Sequence, residues 1–97
     1  MPTYDKDERF LRDWSKLSRQ QKKRFMDNVA EMVEDLRAGQ GFRQGLRIRG
    51  VQGHEGVYEM TWAPDGRATF LIGKSIKDDE PRIVWRRVGS HDIFKQP

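Results

Sequence analysis

The stretch Val57-Tyr-Glu-Met-Thr-Trp-Ala63-Pro-Asp-Gly66-Arg-Ala-Thr-Phe-Leu-Ile-Gly73 decides the fold. Two runs rich in β-branched and aromatic residues flank Pro64-Asp65-Gly66. There proline presets one dihedral and glycine accepts a positive one, so the chain turns back on itself. Residues 57–73 therefore read as an antiparallel hairpin. Side chains alternate across a strand, so Tyr58, Met60 and Trp62 share a buried face with Ala68, Phe70 and Ile72. Glu59, Thr61, Arg67 and Thr69 fall on the opposite, polar face. Glu59 and Arg67 can pair there across the hairpin, a surface interaction of about 0–1 kcal/mol.

Downstream, residues 82–89 (Arg-Ile-Val-Trp-Arg-Arg-Val-Gly) form another strand. With Val84 and Val88 turned to the core, Ile83, Trp85 and Arg87 point with Arg67 to the polar face. Arg86 then shares the core side, which is costly for a buried charge, so it belongs near the sheet edge with its head in water. Residues 74–81 read as a solvated loop and 90–97 as a short polar and aromatic tail beside Arg87. Upstream, 46–51 supplies a further strand, and 40–45 is glycine-rich punctuation.

Before residue 40 the hydrophobic period changes from 2 to 3.6. Over 4–17, Phe10, Leu11, Trp14 and Leu17 make one apolar stripe on a charged helix. Ser18 with Gln21 fits a capping box, each side chain satisfying a free backbone donor of the other residue. Phe25, Val29, Met32, Val33 and Leu36 continue at helical spacing, and Gly39 suits the left-handed residue that closes a helix. The chain is a single domain, 1–97, of the α+β class. A helical hairpin over about 4–39 covers one face of a small, mainly antiparallel sheet of three or four strands over about 46–89.

Composition bounds what such a domain can do. Its 97 residues support one modest core. Charged residues make up 35% and mean hydropathy is −0.93, but three Trp, five Phe and two Tyr supply the buried area that disordered chains lack. No apolar run approaches the roughly 20 residues of a membrane span. Without cysteine there is no disulfide framework, thiolate metal site or thiol nucleophile. A soluble, cytoplasmic protein is the expectation. Nineteen basic against fifteen acidic residues give +4, which favours a polyanionic partner.

The uncovered sheet face carries the candidate chemistry. Arg67 and Arg87 can hold a phosphate bidentately, His91 can move protons near neutral pH, and Trp85 or Phe94 can stack an unpaired base. His54 sits in the glycine-flanked loop Gly53-His-Glu-Gly56. Each has an ordinary alternative: arginines that serve solubility, a Phe94 that packs the tail, a His54 that is merely solvated. Competing chemistries lack their signatures. Gly39, Gly41 and Gly45 are not followed by the Lys-Ser/Thr of a phosphate-binding loop, the histidines and carboxylates show no metal spacing, and no strained serine elbow is present. A helix-turn-helix over 1–45 would mix ten basic with eight acidic residues, a solvated face rather than a recognition helix.

In the order of these parts the chain resembles the RelE/ParE superfamily of bacterial toxins from type II toxin–antitoxin systems. The resemblance covers nearly the whole length. It rests on the helical hairpin, the basic strand, Gly56-Val-Tyr-Glu-Met-Thr-Trp62, the Asp65-Gly-Arg67 turn and the tail Arg87-Val-Gly-Ser-His91-Asp-Ile-Phe94. That tail is similar to the end of the YafQ branch, with Phe94 one residue out of step. The resemblance implies cleavage of messenger RNA, usually on the ribosome, without metal or other cofactor, and a cognate antitoxin that is at least locally acidic. It implies that His91 serves as acid or base, with His54 or Glu59 for the opposite proton transfer. Arg67 and Arg87 would clamp the scissile phosphate, Arg47 and Arg49 would hold the RNA backbone, Trp85 would contact RNA, and Phe94 would orient a base or the His91 ring. Two other readings stay open on the same residues: a ParE-like gyrase poison without nuclease activity, and a non-catalytic nucleic-acid-binding module.

Overall fold

The structure, a computed structural model, describes residues 3–6, 8–39, 41–74, 81–95 and 97. Strand β1 (Thr3–Lys6) leads into helices α1 (Glu8–Ser15) and α2 (Arg19–Ala38). A 3₁₀ turn (Gln44–Leu46) and strands β2 (Arg49–Gly50), β3 (Val57–Ala63), β4 (Gly66–Lys74) and β5 (Pro81–Gly89) follow, and a 3₁₀ helix (His91–Lys95) ends the chain. The sheet order is β1-β5-β4-β3-β2, antiparallel except for β1, which runs parallel to β5. Both helices lie on one face, the α+β arrangement that the sequence predicts.

Local rules account for most of this. Ser18 Oγ accepts from Gln21 N at 3.1 Å and Gln21 Oε1 accepts from Ser18 N at 2.7 Å, so the capping box starts α2. Gly39 closes it, its N–H donating to Asp35 O. Phe25, Val29 and Met32 face the sheet. Phe25 is the hub, with the rings of Phe10, Trp14, Trp62 and Trp85 centred 5.1 to 6.0 Å away. The 57–73 hairpin pairs in the expected register, Tyr58 opposite Phe70 and Met60 opposite Ala68. Its turn departs from expectation in one respect: Gly66 has no positive φ. It is needed for space, because a Cβ there would lie 2.7 Å from the Trp62 ring.

Four expectations are corrected. Residues 3–6 form a strand, not the first turn of a helix running from Tyr4. Their state is set by pairing with β5 some 80 residues on, which no local pattern encodes. The basic strand expected over 46–51 shrinks to Arg49–Gly50, since Leu46 is drawn into the core by a 3₁₀ turn and Arg47 takes a left-handed conformation, φ 50°. Leu11 and Ile72 are exposed rather than buried.

The fourth correction moves a candidate site residue. Thr69 lies opposite Arg87 but Phe70 lies opposite Trp85, so Arg86 is an extra residue, a β-bulge. A bulge resets which face each later side chain takes. Upstream of it Ile83 and Trp85 face the core, and downstream Val88 does. Trp85 is therefore 2% exposed, enclosed by Phe10, Phe25 and Phe70, and has no face to offer a base. Arg86 is half-buried, and its Nη2 donates to the Pro97 carbonyl at 3.2 Å. Residues 75–80 of the expected loop lie outside the described residues.

Candidate functional site

On the side away from the helices, register aligns Arg49, Glu59, Thr69 and Arg87 across β2, β3, β4 and β5. Both ends of this row are engaged, in different ways. Arg49 Nε donates to Glu59 Oε1 at 2.7 Å. The Arg49 side chain is 78% exposed while the Glu59 side chain is 10% exposed, so a sunken carboxylate holds a cation at the surface. Glu59 thus pairs with Arg49 and not with Arg67 across the hairpin.

At the other end Arg87 turns to α1. Its Nε and Nη2 donate to Asp13 at 2.6 and 3.1 Å, and the same carboxylate accepts the Val88 N–H at 3.2 Å. β1 pairs with β5 only as far as Trp85, and beyond it Asp13 takes the edge of β5 opposite β4. Sequence reasoning misses Asp13 because its partners lie 74 and 75 residues away and nothing local marks it. Arg67, the other arginine of the expected clamp, folds onto its own turn, its Nη1 within 3.3 Å of the Ala63, Pro64 and Gly66 carbonyls. The two arginines do not converge as a pair.

A different set does converge. His54, Glu59, His91, Phe94 and Arg49 line one open cleft of ≈ 440 Å³. His54 is held through its backbone: its N–H donates to Val51 O at 3.2 Å and its carbonyl accepts from Val57 N at 3.1 Å. The flanking Gly53 and Gly56 take φ of 82° and 80°, which only glycine adopts freely, and so allow the tight loop. His91 opens the C-terminal 3₁₀ helix. Ser90 starts that helix, its Oγ accepting from Asp92 N and its carbonyl from Ile93 N. Ile93 is buried and anchors the helix to the sheet. Phe94 is left half-buried and edge-on to His91, ring centres 4.9 Å apart at 77°. Arg47 is exposed and lies outside the cleft.

Among the described residues no three His, Cys, Asp or Glu side chains cluster as a metal ion requires, and no helix is long and apolar enough to cross a membrane. The cleft thus offers two imidazoles, a carboxylate-anchored guanidinium and an aromatic edge. Together these can accept and donate protons beside an anion.

Two helices on one face of a largely antiparallel sheet, with the His91 tail on the other, make a fold that solved structures of other proteins share. The chain superposes on a copper-bound mutant toxin from Helicobacter pylori with TM-score 0.61, at 19% identity over 95% of this chain and 97% of that one. It superposes on YafQ from E. coli with TM-score 0.60, at 14% identity over 95% and 96%. The E. coli DinJ–YafQ toxin–antitoxin complex gives TM-score 0.59, at 16% identity over 94% and 93%. Neither a family model nor a curated protein sequence matches the chain.

Proposed function

We propose that this protein is the toxin of a toxin–antitoxin system and a metal-independent endoribonuclease that cleaves messenger RNA during translation in the cytoplasm. The observation that carries this reading is the meeting of His54 and His91 in one cleft beside Arg49, on a fold shared with YafQ. In the reaction a ribose 2′-hydroxyl attacks the adjacent phosphorus and the bond to the 5′ oxygen breaks. A 2′,3′-cyclic phosphate and a free 5′-hydroxyl result. One histidine takes the 2′-hydroxyl proton and the other protonates the departing oxygen.

Glu59 is bound to Arg49, so its role is to position that guanidinium rather than to carry the second proton. The remaining Arg49 donors meet the charge that builds on the phosphorane. Phe94 steadies the His91 ring. Arg47 holds backbone phosphate by charge, while Arg67 and Arg87 brace the turn and the sheet edge. The complex of YafQ with DinJ supports an antitoxin partner for this chain, one whose acidic segment relieves the exposed arginines.

Induced expression tests the reading. Growth should stop with messenger RNA cut at new 5′ ends bearing free hydroxyls, and co-expression of the neighbouring operon gene should restore growth. Arrest with intact transcripts and broken DNA would replace it with a gyrase poison.

A further inference from the structure

Away from the histidine cleft, charge is strongly polarised along the helical hairpin. Residues 8–24 hold seven basic side chains against Glu8 and Asp13, whereas 25–38 hold Asp27, Glu31, Glu34 and Asp35 against Arg37. This runs against the helix macrodipole, which favours acids at the N-terminal end; α2 has none in its first turn and carries Arg19 and Lys22 there. The acidic half has a use within the chain, because Arg43 pairs there with Glu31, Glu34 and Asp35. Asp13 accepts from Arg87 and Val88. Arg12, Lys16 and Arg24 are exposed and form no ion pair among the described residues.

These three cations line two adjoining hollows. One, ≈ 330 Å³, lies between the α1–α2 connection and the β3–β4 turn, with Lys16, Arg24, Trp62, Gly66 and Ser90 on its walls. The indole N–H of Trp62 has no acceptor among the described residues. The other, ≈ 300 Å³, places Arg12 and Lys16 with Arg9 and Arg87 around Asp13. Lys16 belongs to both hollows. Ser90, in the first, is the chain neighbour of His91, which lines the histidine cleft. The three hollows follow one another around the end of the sheet.

We infer that the RNA strand, on leaving the histidine cleft past Ser90, lays its phosphate backbone along Arg24, Lys16 and Arg12. This rests on the ribonuclease reading and gives the strand a path beyond the reacting phosphate. A protein partner fits this surface less well. Stable protein interfaces centre on buried apolar anchors, and the exposed Leu11 and Met26 line neither hollow. A phosphate backbone asks only for spaced cations.

The test is salt-dependent binding of 2′-O-methyl RNA, which lacks the attacking hydroxyl, as a trinucleotide and as a dodecanucleotide. For single strands log K falls with log salt by about 0.7 per phosphate neutralised, so Arg12→Gln/Lys16→Gln/Arg24→Gln should flatten the dodecanucleotide slope by about 2. The trinucleotide, confined to the cleft, should bind as to wild type. Lys23→Gln/Arg37→Gln, which lowers net charge outside the hollows, should change neither slope. An unchanged dodecanucleotide slope in the triple variant overturns the path, as does equal flattening at both lengths or by the control pair. Loss of antitoxin binding with RNA binding intact also overturns it and gives the surface to the protein partner. If wild type binds neither oligonucleotide, the ribonuclease reading itself falls and the path with it.

Discussion

Replacing Asp13 by alanine tests whether Arg87 braces the sheet. The carboxylate accepts from Arg87 Nε at 2.6 Å, from Arg87 Nη2 at 3.1 Å and from Val88 N at 3.2 Å. Its loss leaves a part-buried backbone N–H without that acceptor, which costs about 1–3 kcal/mol. It also removes the carboxylate that two guanidinium nitrogens of Arg87 engage. For a fully buried pair that costs about 3–5 kcal/mol. Here the Arg87 and Asp13 side chains are 20% and 11% exposed, and water screens part of it, so about 1 kcal/mol is a fair share. The two contributions give about 2–4 kcal/mol in all, a large fraction of the stability of a small domain.

Urea unfolding followed by tryptophan fluorescence reads this directly. With slopes of about 1–3 kcal/mol per molar for small proteins, the midpoint should drop by about 1 M or more. Asp13→Asn, which keeps an acceptor for Val88 but not the charge, should fall between. In the cycle with Arg87→Ala the two losses should not add, and the coupling should be about 1–2 kcal/mol. An Asp13→Ala cost below about 0.5 kcal/mol, the scatter of ordinary surface changes, or additive losses in the cycle would refute the brace. The role of Asp13 as the brace of the β5 edge would then fall.

Four further outcomes are expected. His54→Ala and His91→Ala should each slow single-turnover cleavage by about 10²–10⁴-fold, while urea midpoints stay near wild type because both residues are exposed. Phe25→Ala, which empties the ring cluster formed with Phe10, Trp14, Trp62 and Trp85, should cost about 3–5 kcal/mol in the same unfolding assay. Gly66→Ala drives a methyl group to within 2.7 Å of the Trp62 ring, and should cost about 1–3 kcal/mol although Gly66 has no positive φ. Hydrogen bonds from Arg43 hold the Asp35 carboxyl below its ordinary 3.8, so its ionised form stabilises the fold above that pH and the stabilisation is lost as pH falls through the lowered value. The stability gap between wild type and Asp35→Asn should therefore be widest near neutrality and close in acid, which urea titrations across that range would show.

The elements legible in the sequence are those whose cause is local. The 57–73 hairpin has its turn and both alternating strands within seventeen residues, and the capping box needs only Ser18 and Gln21. β1 has no such signature: Thr3–Lys6 becomes a strand only because residues of β5 arrive beside it. The site divides in the same way. Histidines and arginines announce their chemistry by type, but their grouping belongs to topology. Loop 51–56 brings His54 to a tail 37 residues further on, and Asp13 removes Arg87 from that company. The bulge at Arg86 shows why alternation alone misassigns β5. Trp85 and Arg87 share a face in an ideal strand, so burying the indole would bury the guanidinium with it. One extra residue breaks that link. Trp85 and Val88 both enter the core, and Arg87 stays opposite Thr69 on the other face, where a carboxylate from α1 can reach it.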